Sequence, residues 1–209
     1  MTARIDHAIT TGTLSSDGQS FPLDNNVWVL GDESECIVID APHDVDAIAQ
    51  VVGQRRVVAI VCTHAHNDHV GFAPKLGQRL SAPVWLHPAD TELWALTHPQ
   101  ARPDADLADG QVIRVAGTDV TVIHTPGHTP GAVSLYVPDL GVLFSGDTLF
   151  EGGPGATGRS FSSFPTIIDS IRTRLLTLPP ETRVLTGHGA ETTVGAEAPA
   201  LPDWIARGY

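Results

Sequence analysis

The segment Thr63-His64-Ala65-His66-Asn67-Asp68-His69 sets three imidazoles and one carboxylate almost side by side, directly after the apolar run Val57-Val58-Ala59-Ile60-Val61-Cys62. Imidazole nitrogen and carboxylate oxygen are the ligands of zinc and its first-row neighbours, so this density at the end of a strand reads as a metal site. In an extended His64-x-His66 pair both side chains point to one face, because the period along a strand is two. Asp68 and His69 follow where the chain turns out of that strand. They need not aim at the same ion, and two metals rather than one are expected.

The rest of the chain must then supply further ligands. Three segments qualify: Gly127-His128-Thr129-Pro130-Gly131, Phe144-Ser145-Gly146-Asp147-Thr148-Leu149-Phe150 and Thr186-Gly187-His188-Gly189. Each follows a strand-like run, and glycine beside a ligand fits a tight turn that exposes a side chain at a strand's end. Asp40 closes the second strand-like run, where it can fix a ligand imidazole by accepting its other N–H. An ordinary strand-end turn residue is the competing reading for Asp40.

With these motifs in place, the chain from about Asn26 to Glu197 resembles the metallo-β-lactamase-fold hydrolases, and within them the glyoxalase II (hydroxyacylglutathione hydrolase) group. The resemblance implies an α/β fold, a four-layer αβ/βα sandwich with metals bound at one edge between the sheets. It implies that His64, His66 and His128 hold a first metal, that Asp68, His69 and His188 hold a second, and that Asp147 bridges both. The implied cofactors are two divalent metal ions, zinc first, with iron or manganese as alternatives. Asp68 would also accept a hydrogen bond from the shared solvent and so orient it, the catalytic role expected of it.

Two metals about 3.5–4 Å apart can lower the pKa of a shared water toward neutrality and polarise a carbonyl. An acyl thioester suits such a site, because a thiolate leaves readily and is a soft ligand for zinc. S-lactoylglutathione is the type of substrate implied. Arg159 is the cation nearest in sequence to Asp147, and its paired donors suit a substrate carboxylate. Two departures stand out. Short bacterial relatives carry Gly-Arg-Thr/Ser-Asp in this loop, whereas here Phe161 falls at the Asp position. Long glyoxalase II enzymes grip glutathione with a C-terminal helical domain, which has no counterpart after His188, so another small thiol carrier remains open. Rival readings are a lactonase, a persulfide dioxygenase with a single iron, a true β-lactamase, and a metal-stabilised binding module without turnover. The dioxygenases often have Gly-His-Thr-Asp-Gly-Cys where Pro130 and Ala132 stand here. The lactamases typically have Cys or Ser in place of Asp147.

The elements that must position these groups follow from the rest of the chain. Its 209 residues, 42% hydrophobic, suit a single domain spanning 1–209. A formal charge of −12 repels a polyanion at long range, and the longest basic cluster is only Arg55-Arg56, so no nucleic-acid partner is expected. No signal-peptide pattern or membrane span is read, and a cytoplasmic protein with a small-molecule partner is expected. Nothing in the sequence sets an oligomeric state. Cys36 and Cys62 sit in apolar runs as buried free thiols. Strands are expected at Val27 to Leu30, Cys36 to Ile39, Pro83 to Leu86 and over much of Val112 to Phe144. Helices are expected at Val45 to Val52 with Asp44 as cap, Gly71 to Leu80, Ala89 to Leu96, Ile167 to Leu178, and in the tail with Trp204 and Ile205. Pro99 to Gly110 reads as a surface connection and Glu151 to Gly158 as a flexible loop. His7, His43, His87, His98 and His124 read as structural or surface residues. Phe21, Trp28 and Trp85 read as core or rim packing, while Phe21 to Trp28 can also form an apolar lip over the metals.

Overall fold

The computed structural model describes residues 3–16 and 19–208, with side chains at all of these except 14–16 and 19–21. The chain opens with a long hairpin, β1 (Arg4–Ser16) and β2 (Gln19–Gly31), followed by β3 (Glu35–Ile39), α1 (Val45–Val52) and β4 (Arg56–Val61). A short turn α2 (Asn67–Val70), then α3 (Ala73–Leu80), β5 (Val84–Leu86), α4 (Thr91–Thr97) and β6 (Ala105–Asp106) complete the first half. The second half runs β7 (Val112–Val115), β8 (Thr118–His124), β9 (Val133–Val137), β10 (Val142–Gly146), the ribbon β11 (Leu149–Phe150) and β12 (Gly153–Pro154), then α5 (Phe164–Ser170). It closes with β13 (Arg183–Thr186), β14 (Thr192–Thr193), α6 (Val194–Glu197) and α7 (Leu201–Arg207). One sheet has the order β1-β2-β3-β4-β5-β6 and the other β14-β13-β10-β9-β8-β7.

Alternation along each strand decides what each face meets. In β3, Ile37 and Ile39 point at the opposite sheet, where they pack with Val122, Leu135, Phe144 and Leu185. Their neighbours Cys36 and Val38 point the other way, onto Val45, Ile48 and Val52 of α1 and Leu76 of α3. β10 repeats the scheme: Val142 and Phe144 face inward, while Leu143 faces Ile167, Ile171, Leu175 and Trp204. Helix, sheet, sheet and helix thus form the four layers of an αβ/βα sandwich, as expected.

The sandwich sets the site because its ligand-bearing segments share one edge. β3 and β4 run parallel, as do β10 and β13, and β8 points with β10 across the antiparallel β9. The C-terminal ends of all five strands therefore emerge together, carrying Asp40, the His64-to-His69 segment, Asp147, His188 and His128.

Local rules account for the helices. Asp44 caps α1, its carboxylate accepting from the N–H groups of Asp46 at 2.9 Å and Ala47 at 3.0 Å. The expected helix at Gly71 begins instead at Ala73. Residues 67–70 form their own turn, closed by Gly71 N–H on the Asn67 carbonyl, and Phe72 donates to Ala41 outside any helix. The expected Ile167 to Leu178 helix begins earlier, at Phe164, and finishes in a wider π turn over Ile171–Leu175 in which Leu176 N–H reaches the Ile171 carbonyl.

Other expectations need correction. The antiparallel β1 was not legible as a strand. The connection at 99–110 contributes the edge strand β6 and the fully buried Leu107. The loop at 151–158 contains the β12 half of a ribbon, with Gly153 and Gly155 buried. In the tail Trp204 packs at 2% exposure, whereas Ile205 is half exposed. Both cysteines are free and buried. Arg55 is paired with Asp6 at 2.7 Å and Arg56 with Glu35. Among the described residues no helix is long and apolar enough to cross a membrane.

One buried carboxylate ties the two sheets' ligand loops together. Asp90, at 0% exposure, accepts from Ala65 N–H at 2.8 Å and the Thr129 hydroxyl at 2.7 Å, and its other oxygen accepts from Gly131 N–H at 2.5 Å. Ala65 lies between His64 and His66, and Thr129 follows His128. A Cβ at Gly131 would stand 2.8 Å from the Asp90 carboxyl carbon, which is why that position has none. Asp90→Ala leaves these donors buried without acceptors and is expected to lower stability by about 3 kcal/mol in urea unfolding. A loss below about 1 kcal/mol would show that the two loops hold themselves.

Candidate metal centre

Five imidazoles and two carboxylates converge at the common edge. His64 Nε2 and His66 Nδ1 lie 3.0 Å apart, and His66 Nδ1 lies 2.9 Å from His128 Nε2. Beside them, His69 Nε2 and His188 Nε2 are 3.1 Å apart, with Asp68 Oδ2 at 3.5 and 3.2 Å from them. Asp147 stands between the groups: Oδ1 is 3.3 Å from His69 Nε2, and Oδ2 is 3.5 Å from both His128 Nε2 and His188 Nε2. His64, His66 and His128 form one set of donor atoms close enough for an ion, Asp68, His69 and His188 another, and Asp147 joins His64 and His69 in a third.

The outer nitrogens fix how these rings face. His69 Nδ1–H donates to Asp40 at 2.8 Å, His128 Nδ1–H to the Ala156 carbonyl at 2.8 Å, and His188 Nδ1–H to the Asp24 carbonyl at 2.7 Å. His64 Nδ1 lies 3.1 Å from the Thr63 hydroxyl, which itself donates to Asp40. Each of these four rings therefore turns Nε2 inward, the orientation of a metal-ligating histidine. His66, at the N-cap of α2, instead turns Nδ1 inward.

Such a convergence of lone pairs is repulsive by itself, and a cation resolves it. Asp147 Oδ1 is buried without a hydrogen-bond donor, an omission that is costly unless something else balances the charge. Burial and the adjoining imidazoles hold His64 far below the ordinary histidine range, and the same causes bring His66 to about 4, so both rings stay neutral and able to donate electrons. Burial alone would raise Asp147, but His69, His128 and His188 outweigh it and bring it to about 2. Burial likewise opposes ionisation of Asp68, yet the His188 hydrogen bond and the His69 charge hold it well below the carboxylate range. Burial opposes charge on His69 as well, and Asp147 and Asp40 overcome it and draw its pKa upward, so an incoming ion must displace that proton. The donor chemistry, the orphaned oxygen and the inward lone pairs all fit divalent metal.

Glycine makes room for this crowding. A Cβ at Gly187 would lie 2.3 Å from Asp147 Oδ1 and 2.7 Å from the His69 ring, and one at Gly146 would lie 2.7 Å from the Thr63 hydroxyl. Gly146 also holds φ 50, the left-handed region that favours glycine.

The seven expected ligands are therefore brought together. Asp40 braces them rather than serving as a plain turn residue: it accepts from His69 and from both the N–H and hydroxyl of Thr63, at a φ of 64. A non-glycine residue held in that region at a site is a strained, over-determined position. Arg159 lies in the neighbouring loop, exposed, and its guanidinium makes no hydrogen bond or ion pair among the described residues. That loop is anchored on the His128 turn at both ends, by Ala156 on His128 and by Ser163 N–H on the Gly127 carbonyl at 2.7 Å. Phe161 within it is 39% exposed with φ 70.

Histidines outside the set behave structurally. His7 stacks on Trp28 at 4.0 Å, His87 on His124 at 4.1 Å, and His98 donates to the Val70 carbonyl. Trp28 packs against the inter-sheet core and donates to the Thr186 carbonyl, and Trp85 packs against the same core. The side chain of Phe21 lies outside the described residues. Two residues at the centre escaped the sequence reading. Asp90 has been described above; Asn25, fully buried in β2, directs its amide at Asp68, His69 and His188. Neither carries a motif, because each acts on segments far away in the chain.

Comparison with known proteins fits this geometry. The chain is 34% identical to the probable metallo-hydrolase YqgX of Bacillus subtilis, over 87% of this chain and 92% of that one. It is 32% identical to the hydroxyacylglutathione hydrolase GloC of Haemophilus influenzae, over 84% of this chain and 89% of that one. Among solved structures, TTHA1623 in a di-iron-bound form is 36% identical with a TM-score of 0.71, covering 90% of this chain and 96% of the other. The B3 metallo-β-lactamase BLEG-1 is 31% identical with a TM-score of 0.76, covering 94% and 99%. The model of the metallo-beta-lactamase superfamily matches residues 21–188, so the fold, the edge on which the donors meet and the sequence agree: the chain belongs to that superfamily.

Proposed function

We propose that this chain is a metal-dependent hydrolase that cleaves a small acyl thioester, in the manner of the glyoxalase II group. The observation that carries the reading is the position of Asp147, whose carboxylate lies within 3.5 Å of His128 in the first donor set and of His69 and His188 in the second. A carboxylate shared in this way suits two ions, and relatives at this level of identity include a hydroxyacylglutathione hydrolase.

On this reading His64, His66 and His128 hold one divalent ion, Asp68, His69 and His188 the second, and Asp147 both. Zinc is the first expectation, and the di-iron form of one solved relative keeps iron open. When bound, such ions supply Lewis acidity and a water of lowered pKa. The side chains do the rest. Asp68, kept ionised by His188 and His69, accepts a hydrogen bond from the attacking water and orients it toward the acyl carbon. Asp40 and the Ala156 and Asp24 carbonyls hold the rings so that no reorganisation is needed during reaction. His66, Asp68, Asp147 and His188 are the members open in part to solvent, so substrate approaches on their side. Arg159, in the loop anchored on His128, meets the substrate's carboxylate.

The solved β-lactamase of similar sequence supports ring opening as a second reading, with a lactone or β-lactam in place of the thioester. Hydrolysis of S-lactoylglutathione, a lactone and a β-lactam by one preparation separates these. The thioester is expected to lead in kcat/KM, and a lead of tenfold or more for either ring would overturn the proposal. Asp147→Ala is expected to remove nearly all turnover and the bound metal, whereas His98→Ala, far from the donors, is expected to change neither. If Arg159 meets a carboxylate, Arg159→Ala raises KM for an anionic thioester roughly tenfold and leaves a neutral one within about twofold. Equal effects on both would assign Arg159 to bracing the loop.

A further inference from the structure

Resting on the two-ion reading of the centre, we infer that Asn26 is a positioning residue for His188, set in place by His7, and that it governs the affinity of the second ion and not of the first. The inference starts from the turn that carries His188. Of the seven ligands, this one alone has glycine on both sides. Gly187 is obligatory, because a Cβ there would lie 2.3 Å from Asp147 Oδ1, and Gly189 holds φ 69. Glycines flanking a ligand give its backbone a wide choice of conformations. The direction of the imidazole must therefore be imposed from outside the turn.

Strand β2 imposes it. Asn26 is buried, its backbone N–H donates to the Gly187 carbonyl at 2.8 Å, and its side-chain amide donates to the Thr186 carbonyl at 3.1 Å and the Gly189 carbonyl at 3.0 Å. One residue thus grips the turn before and after His188. Carbonyl oxygens only accept, so the amide nitrogen is the atom that faces them and the amide oxygen faces away. On that far side His7 Nε2 lies 2.9 Å from Asn26 Oδ1, a contact that requires a proton on Nε2. His7 stacks on Trp28 with ring centroids 4.0 Å and planes 15° apart, and Trp28 Nε1–H donates to the same Thr186 carbonyl at 3.0 Å. The imidazole of His188 is held by the same strand, its Nδ1–H on the Asp24 carbonyl at 2.7 Å. All of these bonds end within β1 and β2 or on the turn of His188, which belongs to the second donor set.

Stepwise dissociation constants for zinc, measured by chelator competition and paired with the absorption spectrum of the cobalt(II) form, test this without reference to turnover. Asn26→Ala is expected to weaken one of two ions by about tenfold or more and leave the other within about threefold, the retained ion showing that the variant is folded. His7 is exposed, so its variants probe the same arrangement without emptying the interior. His7→Phe keeps a ring on Trp28 but removes the donor, and is expected to weaken the same ion to a smaller degree and alter the cobalt spectrum. His7→Gln, which offers an amide N–H at a similar reach, is expected to restore both. Two ions bound by the wild type with unaltered constants and spectra in Asn26→Ala and His7→Phe would overturn this inference alone, as would equal weakening of both ions. A wild-type chain that takes up a single ion would overturn it together with the two-ion reading.

Discussion

Seven side chains whose inward atoms are nearly all lone pairs have been packed at one edge of a sandwich, and this electrostatic frustration is what the surrounding structure exists to sustain. Imidazole nitrogens and carboxylate oxygens about 3 Å apart turn their lone pairs on one another unless a proton or a metal ion sits among them. Holding them there requires a rigid frame. The frame consists of hydrogen bonds to the outward nitrogens, of glycines that let backbones pass within contact of the ligands, and of two buried carboxylates, Asp40 and Asp90, that anchor the loops.

The division of labour between those carboxylates follows from topology. Asp40 ends β3 and grips the segment that follows β4, its parallel neighbour in the same sheet. Asp90 precedes α4 and reaches across to the turn after β8, in the other sheet. One carboxylate therefore fixes ligands within a sheet and the other fixes the two sheets' loops relative to each other. Between them the inter-sheet core around Ile37, Leu135 and Phe144 keeps the spacing constant. Two of the residues in left-handed settings, Asp40 and Gly146, lie at this edge, one bracing His69 and the other preceding Asp147.

Much of the centre was legible in the sequence because ligand chemistry is written in short, local words. His64 to His69, Gly127-His128, Gly146-Asp147 and Gly187-His188 each pair a ligand with the turn that presents it. The layered fold was legible for a related reason, since the nearly unbroken apolar runs of β3, β4 and β10 mark strands covered on both faces. The braces were not. Asn25, Asp90 and His43 meet the centre through contacts spanning tens of residues, and no local pattern distinguishes a buried asparagine aimed at histidines from one in a turn. Strand β1 escaped because its polar, threonine-rich run lacks a clear apolar face; pairing with β2 decides its structure. The shift of α3 to Ala73 likewise reflects tertiary demand, since the preceding turn must place His69.

The account's central claim is that this edge is built for two divalent ions sharing Asp147. Elemental analysis of the purified protein after saturation with zinc and removal of loosely held metal tests it most directly. Two equivalents per chain are expected, falling to one or none when Asp147 is replaced by alanine. One equivalent or none in the wild-type chain would contradict the claim and leave the convergence of donors without the cations it calls for.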